Sequence, residues 1–319
     1  MLYDLIVLGA GPAGLTAGLY GARAKLKTLV IEKGIEGGQI SNTTDVENYP
    51  GTPNISGFEL SHTVRKQAES FGAEFVSDEV IEADLKDKIK KIKTKEKEYE
   101  AKTVIIATGA TPRKLGFPGE DIFEGRGISY CATCDAAFYQ DFDVYVIGGG
   151  DSAVDEALFI SKFAKKVYIV HRRDELRAAK SLQDRAFSNE KIDFIWDSVV
   201  EEIKGDKIAE ELVLRNLKTG ELTSIKQADG PFGIFIFVGF IPETQIFEGQ
   251  IEMEKGYIKT DEDMNTNIEG VFAAGDLRVK NLRQVVTATA DGAIAAVNAE
   301  KYIAEQEGTV YKAFEEKQI

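Results

Sequence analysis

Two stretches of this 319-residue chain share one pattern of apolar and polar positions. Each opens with a short apolar run, passes through a turn of glycines and small residues, continues with helical spacing, and returns to a second apolar run. The first copy runs from Leu5–Val7 through Gly9-Ala-Gly-Pro-Ala-Gly14, along a helix of small residues to Ala24, and into the strand Thr28–Ile31. The second runs from Val144–Ile147 through Gly148-Gly-Gly-Asp-Ser-Ala153, along a helix to about Phe163, and into the strand Val167–Val170. Short apolar runs bounded by turn residues read as buried strands.

A glycine turn between such a strand and a helix lets a pyrophosphate approach the backbone. There it meets the free N–H groups and the positive dipole end of the helix. With the flanking strand and helix present in both copies, the motif reads twice as a nucleotide site. The chain is therefore predicted to be α/β, with two Rossmann-like, three-layer nucleotide-binding domains.

Between the copies, residues 75–105 alternate apolar and charged positions and predict a small antiparallel meander. The charge run Lys86–Glu100 predicts a solvated hairpin face, and Thr103–Gly109 reads as a strand ending at a glycine. Gly270-Val-Phe-Ala-Ala-Gly-Asp276 is a further strand ending in Gly-Asp, with a helix from about Gln284. The stretches Thr111–Glu120 and Gly239–Thr244 bracket the second unit as linkers. The first domain is thus expected to be discontinuous, residues 1–115 with 245–319, and the second, 116–244, to be inserted in it.

A formal net charge of −14 argues against a nucleic-acid partner, whose phosphates an acidic surface repels. No apolar run approaches the about 20 residues that a membrane-spanning helix needs. Leu5–Leu8 follows Asp4 and runs at once into glycines, so it reads as a strand, not as an export signal, and a cytoplasmic location is expected. In a reducing compartment the two cysteines, Cys131 and Cys134, are poor candidates for a structural disulfide. Only His62 and His171 could join them around zinc, which takes four ligands, so no metal site is expected. Redox chemistry is the remaining use of a C-x-x-C pair, and the carboxyl of Asp135 beside it can move the proton that thiol–disulfide exchange requires.

The two nucleotide turns differ in charge. The first copy's second strand ends in Glu32, which suits a ribose hydroxyl and repels a 2′-phosphate, so FAD or NAD fits there. The second copy's second strand ends in His171-Arg172-Arg173, with Arg177 four residues on. Guanidinium groups at that place suit the 2′-phosphate of NADPH. Asp276 is placed to accept a hydrogen bond from a flavin's ribityl hydroxyl. Arg283, Gln284 and Val285 open a helix whose N-terminus can stabilise an anionic flavin ring.

The set Gly9–Gly14, Gly37-Gly38-Gln39, Ala107-Thr-Gly109, Cys131-Ala-Thr-Cys134-Asp135, Gly148–Ala153, His171–Arg173 and Gly275-Asp276 resembles the low-molecular-weight thioredoxin reductases, over nearly the whole chain and in the same order. The resemblance implies a homodimer with non-covalent FAD, NADPH as donor and thioredoxin as acceptor. It implies that Cys134 faces the flavin, that Cys131 is its disulfide partner, and that Asp135 is the acid/base. FAD contacts are implied in the first turn at Gly9, Gly11, Pro12 and Ala13. Others are implied at Glu32, Gly38, Gln39 and Asn48, and on the C-terminal side at Asp276, Arg283, Gln284 and Val285. NADPH contacts are implied at Gly149, Asp151 and Ser152, and at Arg172, Arg173 and Arg177. The family rotates one domain against the other, and the two linkers are expected to be that hinge.

Members of the family usually carry Gly-Phe-Phe after the acid, where this chain has Ala136-Ala137-Phe138. An acceptor of glutaredoxin or peroxiredoxin type is accordingly one alternative reading. A ferredoxin-dependent flavin thioredoxin reductase is another, although such relatives lack the arginine cluster.

Overall fold

The computed structural model describes residues 1–42, 46, 48–52, 55–226 and 233–309. Residues 227–232 and 310–319, which belong to the segments 116–244 and 245–319 drawn from the sequence, lie outside the described residues. The chain divides into two compact units, Met1–Thr111 with Ile241–Ile319, and Pro112–Phe240. The crossings fall at 111/112 and 240/241, both inside the two linkers, against the expected 115/116 and 244/245. The α-helices among the described residues are, in chain order, α1 (Pro12–Arg23), α2 (Gly57–Ser70), α3 (Ala132–Asp135), α4 (Asp151–Ile160), α5 (Lys180–Phe187) and α6 (Val285–Gln306).

The first unit is built on β1 (Leu2–Leu8), whose Leu5, Ile6, Val7 and Leu8 are fully buried. A strand apolar on both faces belongs at the centre of a parallel sheet covered on both sides. Here β1 lies parallel between β2 (Thr28–Glu32) and β6 (Glu98–Ile106), with Leu5 opposite Thr28 and Thr103. Outside β2 runs β3 (Glu74–Ser77), also parallel. The expected meander begins one strand later, as β4 (Val80–Asp84), β5 (Lys90–Thr94) and the first half of β6 pair antiparallel. The second half of β6 takes Val271–Ala273 as a parallel neighbour. The pattern did not separate β3 from the meander, because half-buried strands alternate alike in both settings.

The charge run Lys86–Glu100 is not solvated throughout. Along β5, Lys91 and Lys93 are exposed while Lys90, Ile92 and Thr94 are buried. Lys90 Nζ donates to the Asp87 carbonyl at 2.7 Å, and burial pushes its ammonium below the usual lysine pKa. A run of charges read as one block hid the two faces of a strand.

Small residues let α1 sit close to its neighbours. Ala13, Gly14, Ala17, Gly18, Gly21 and Ala22 are all buried. A Cβ on Gly292 of α6 would stand 2.1 Å from the carbonyl oxygen of Ala13 at the start of α1. Gly292→Ala is therefore expected to cost about 1–3 kcal/mol by overpacking. The thermal midpoint of the apoprotein reads this out, and an unchanged midpoint would mean that α6 shifts freely.

The second unit repeats the scheme with a five-stranded parallel sheet. Its order is Ile192–Ile195, Lys166–Val170, Asp143–Ile147, Gly233–Ile236 and Ile128–Ser129. A separate antiparallel sheet, Ser198–Gly205, Ala209–Asn216 and Leu222–Lys226, completes it. In each unit the nucleotide turn follows the central strand, at the carboxyl edge where ligands of open α/β sheets bind.

Candidate functional site

In the first turn each glycine has a separate task. Gly9 (φ 104°) lies against β6's end, where a Cβ would stand 2.4 Å from the Ala107 carbonyl oxygen. Gly14 packs on Gly9 itself, at 1.8 Å for the same added atom. Gly11 is different. It precedes α1 with no side-chain cap, and a Cβ there would meet only the Gly37 carbonyl oxygen, 4.0 Å away. The helix start is thus open to an anion, with Pro12 and Ala13 as its first residues. Gly38 sits over Gly11, and the Gly37 N–H donates to the Ala10 carbonyl at 2.7 Å. Glu32 ends β2 half-buried, its carboxylate accepting from the N–H groups of Ala10 (2.7 Å) and Gly34 (2.9 Å). A carboxylate held by two backbone donors keeps lone pairs for ribose hydroxyls. Gln39 is exposed at the same loop.

The loop after Val271–Ala273 comes to this turn from the other side, where a Cβ on Gly275 would stand 3.0 Å from Ala13 Cβ. Asp276 follows, and its Oδ1 is buried with no hydrogen-bond partner. Burial raises its carboxyl pKa, while Lys280 and Arg283 pull it down and Asp291 raises it further. Arg283 Nε donates to the Asp276 carbonyl at 3.1 Å, and its guanidinium lies 4.5 Å over the Tyr257 ring. Asn48 Nδ2 donates to Gln284 Oε1 at 3.1 Å, which joins two of the expected flavin contacts just ahead of Val285.

In the second unit the loop after Lys166–Val170 folds back over the second turn. The Arg177 N–H donates to the Gly149 carbonyl at 2.7 Å. The His171 ring lies on Gly149, where a Cβ would stand 2.3 Å from His171 Nδ1, so only glycine admits the ring. Burial, then the charges of Arg177, Arg173 and Arg172, pushes His171 below the usual histidine pKa and favours its neutral form. Arg172, Arg173 and Arg177 are exposed, and among the described residues none of the three has an acidic partner. A Cβ on Gly150 would lie 3.9 Å from an Arg177 Nη. Ser152 is exposed in the first turn of α4. Asp151 is exposed as well, and its Oδ1 accepts the Ala179 N–H at 2.6 Å, which ties the arginine loop to α4.

Two buried side-chain atoms lack a hydrogen-bond partner among the described residues, Asp276 Oδ1 and His171 Nε2. One belongs to each nucleotide turn. Buried polar atoms are nearly always paired, so each marks a place where a ligand completes the set. Both turns fit the nucleotides expected of them, FAD at the first and NADPH at the second.

Cys131 and Cys134 form a disulfide with Cα atoms 5.3 Å apart. Cys131 caps α3 and Cys134 lies within it, and a spacing of three on one helical turn puts the two thiols on the same side. Asp135 ends the helix. Burial raises its pKa, opposed by the Ser129 hydroxyl, which donates to Oδ2 at 2.6 Å. Ser129 Oγ also accepts the Cys131 N–H at 3.0 Å, so it joins the acid to the first cysteine's backbone. Sequence reasoning gave no role to Ser129 or Asp291, and weighed the His171 side chain only as a possible zinc ligand. The small polar residue two positions before Cys131 was the only available sign of the first.

These sites sit in a chain with close relatives. The sequence matches the pyridine nucleotide-disulphide oxidoreductase family over residues 3–292. Thioredoxin reductase of Peptoclostridium litorale is 58% identical over 308 residues, covering 95% of this chain and 98% of the relative. Thioredoxin reductase of Bacillus subtilis is 49% identical over 312 residues, 97% of each. The crystal structure of thioredoxin reductase from Streptococcus pyogenes is similar at a TM-score of 0.89 and 49% identity, covering 95% of this chain and 99% of that one. With its two Rossmann-like domains, its paired cysteines and these relatives, the chain belongs to the pyridine nucleotide-disulphide oxidoreductase family and, within it, to the thioredoxin reductases.

Proposed function

We propose that this chain reduces the disulfide of oxidised thioredoxin with electrons from NADPH, as a flavoprotein whose resident cofactor is FAD. The observation that carries the reading is the Cys131–Cys134 disulfide, set beside the half-buried carboxyl of Asp135 in the unit that also bears the arginine-lined turn. Bound FAD supplies the two-electron link between the hydride of NADPH and the dithiol form of the pair. We assign FAD to the unit of residues 1–115 and 245–319, through Gly11, Glu32, Gly38, Asn48, Asp276 and Gln284. NADPH goes to residues 116–244, through Gly149, Ser152, Arg172, Arg173 and Arg177. Asp151 serves there by holding the arginine loop at Ala179.

In its dithiol form, one cysteine attacks the thioredoxin disulfide as a thiolate. That bond breaks, a mixed disulfide forms, and the released thioredoxin thiolate takes a proton. The second cysteine then attacks the mixed disulfide at the enzyme's sulfur. Cys131–Cys134 re-forms, and the second thioredoxin thiolate leaves and is protonated. Two electrons and two protons pass to thioredoxin, and Asp135 is the side chain placed to hold one of those protons.

Acceptors of glutaredoxin or peroxiredoxin type and a ferredoxin donor are not favoured, since the relatives at 49–58% identity are thioredoxin reductases. No helix among the described residues is long and apolar enough to cross a membrane, and we place the reaction in the cytoplasm, where thiols stay reduced. A homodimer is supported by the exposed apolar side chains Val286, Ile294 and Val297 on α6 and Tyr20 on α1.

The test is NADPH consumption by the holoenzyme with thioredoxin from the same organism, and NADH as comparison donor. Fast turnover with NADPH and little with NADH is expected. Replacing Arg172, Arg173 and Arg177 together by glutamine should lower kcat/KM for NADPH by about 100-fold, with the NADH value changing by only about twofold, because a 2′-phosphate loses its charge-assisted partners and a 2′-hydroxyl does not. Equal losses with both donors would refute the assignment of the cluster.

A further inference from the structure

The flavin-facing loop holds a carboxylate that ought to be paired and is not. Asp276 Oδ1 is buried without a partner, although Lys280 is close enough to be the strongest attractive charge on it. The lysine is engaged elsewhere. Lys280 Nζ meets Asp291 Oδ2 at 2.7 Å, and Arg278 Nη1 meets Asp291 Oδ1 at 2.9 Å. Asp291 Oδ2 also accepts the Gly275 N–H at 3.0 Å, immediately before Asp276. All three charged side chains are nearly enclosed, at 9–11% exposure, so these pairs are little screened by solvent. The other nearby cation is engaged as well, since Arg283 spends Nε and Nη2 on the carbonyls of Asp276 and Arg278.

We infer that Asp291 is a positioning residue for the cofactor: by holding Lys280 and Arg278 it keeps the Asp276 carboxylate free to accept a hydrogen bond from the flavin's ribityl chain. The inference rests on the assignment of Asp276 to FAD. Asp291 stands on α6, one residue before the Gly292 that packs on Ala13, so the same helix turn fixes both the phosphate-facing start of α1 and the charge balance of the loop. Without that carboxylate, Lys280 is a nearly enclosed cation lacking a counter-ion, and the unpartnered Asp276 Oδ1 lies within reach of its charge. A buried ion left unpaired is expensive enough for the lysine to turn to it. The Asp276–Lys280 pair so formed would compete directly with the ribityl hydroxyl.

The test follows FAD release from diluted holoenzyme by the recovery of flavin fluorescence, in Asp276→Asn, Asp291→Asn and the double variant Asp291→Asn/Lys280→Met. Asp291→Asn is expected to weaken FAD binding by about tenfold or more. The double variant, which has no lysine to capture Asp276, should return to within about threefold of wild type. A role confined to supporting Gly275 and Arg278 would leave the double variant as weak as the single one, and that result overturns the inference, as does unchanged binding in Asp291→Asn. If Asp291→Asn is not recovered folded, the double variant decides alone: binding near wild type supports the inference, and a loss of about tenfold refutes it. Wild-type binding in Asp276→Asn would show that the assignment of Asp276 has failed instead.

Discussion

Cys134→Ser is expected to lower the rate of thioredoxin reduction by at least about 1,000-fold, while NADPH oxidation with a small acceptor such as ferricyanide stays within about twofold of wild type. A serine hydroxyl is neither a thiolate at neutral pH nor able to close a disulfide. Cys131 alone could form a mixed disulfide with thioredoxin, but nothing would resolve it, so one covalent adduct should accumulate per chain. Cys131→Ser should stop turnover equally. Neither change should unfold the second unit, because the dithiol is itself a state of the cycle and the loop that the bond closes has a sequence separation of three. Ferricyanide needs the two nucleotides and not the cysteines. A parallel loss with both acceptors would therefore point to damage at the nucleotide sites and count against the cysteine pair as the exit for electrons.

The two glycine turns were legible in the sequence because their requirements are local. Gly9 and Gly14 touch within one turn of chain, and a glycine is the only residue that satisfies both positions. Glu32 and the arginines were legible because charge at the end of the second strand is a fixed offset from the turn. What the sequence could not show depends on contacts across long separations. Asn48 and Gln284 lie 236 residues apart and meet only because α6 returns to the first sheet. Asp291 reads as one of three acids in an alanine-rich helix, and its partners at 275, 278 and 280 become visible only when the loop is folded against it. Asp151 was named by the motif for a nucleotide, and the contact of its Oδ1 with the Ala179 N–H, 28 residues on, shows only in the fold. The pattern likewise reported Lys90 as solvated, although the alternation of β5 buries every second residue.

Asp135→Asn is expected to lower kcat with thioredoxin by about 100- to 10,000-fold, the range over which a positioned proton donor acts. Asparagine has the same shape, and its amide oxygen can still accept from the Ser129 hydroxyl, so the 2.6 Å contact that joins the acid to Cys131 can persist. What is lost is a proton that can leave. Burial raises the Asp135 pKa, outweighing the Ser129 hydrogen bond, so the carboxyl keeps its proton to higher pH than an ordinary aspartate. The wild-type rate should accordingly fall as pH rises through that pKa and the donor is lost, on top of the rise that comes from thiol ionisation. In Asp135→Asn only the rising limb should remain. The substitution acts on stability with the opposite sign to its effect on rate. A carboxyl whose folded pKa is raised favours the native state at low pH, and that contribution is lost as pH rises through the folded pKa. A neutral asparagine has no such loss, so the variant should melt at the same or a higher temperature than wild type at neutral pH. A less active and no less stable variant is what an acid held by burial predicts. Full activity, or a surviving alkaline limb in the variant, would remove Asp135 from the proton path and leave it a helix-end residue.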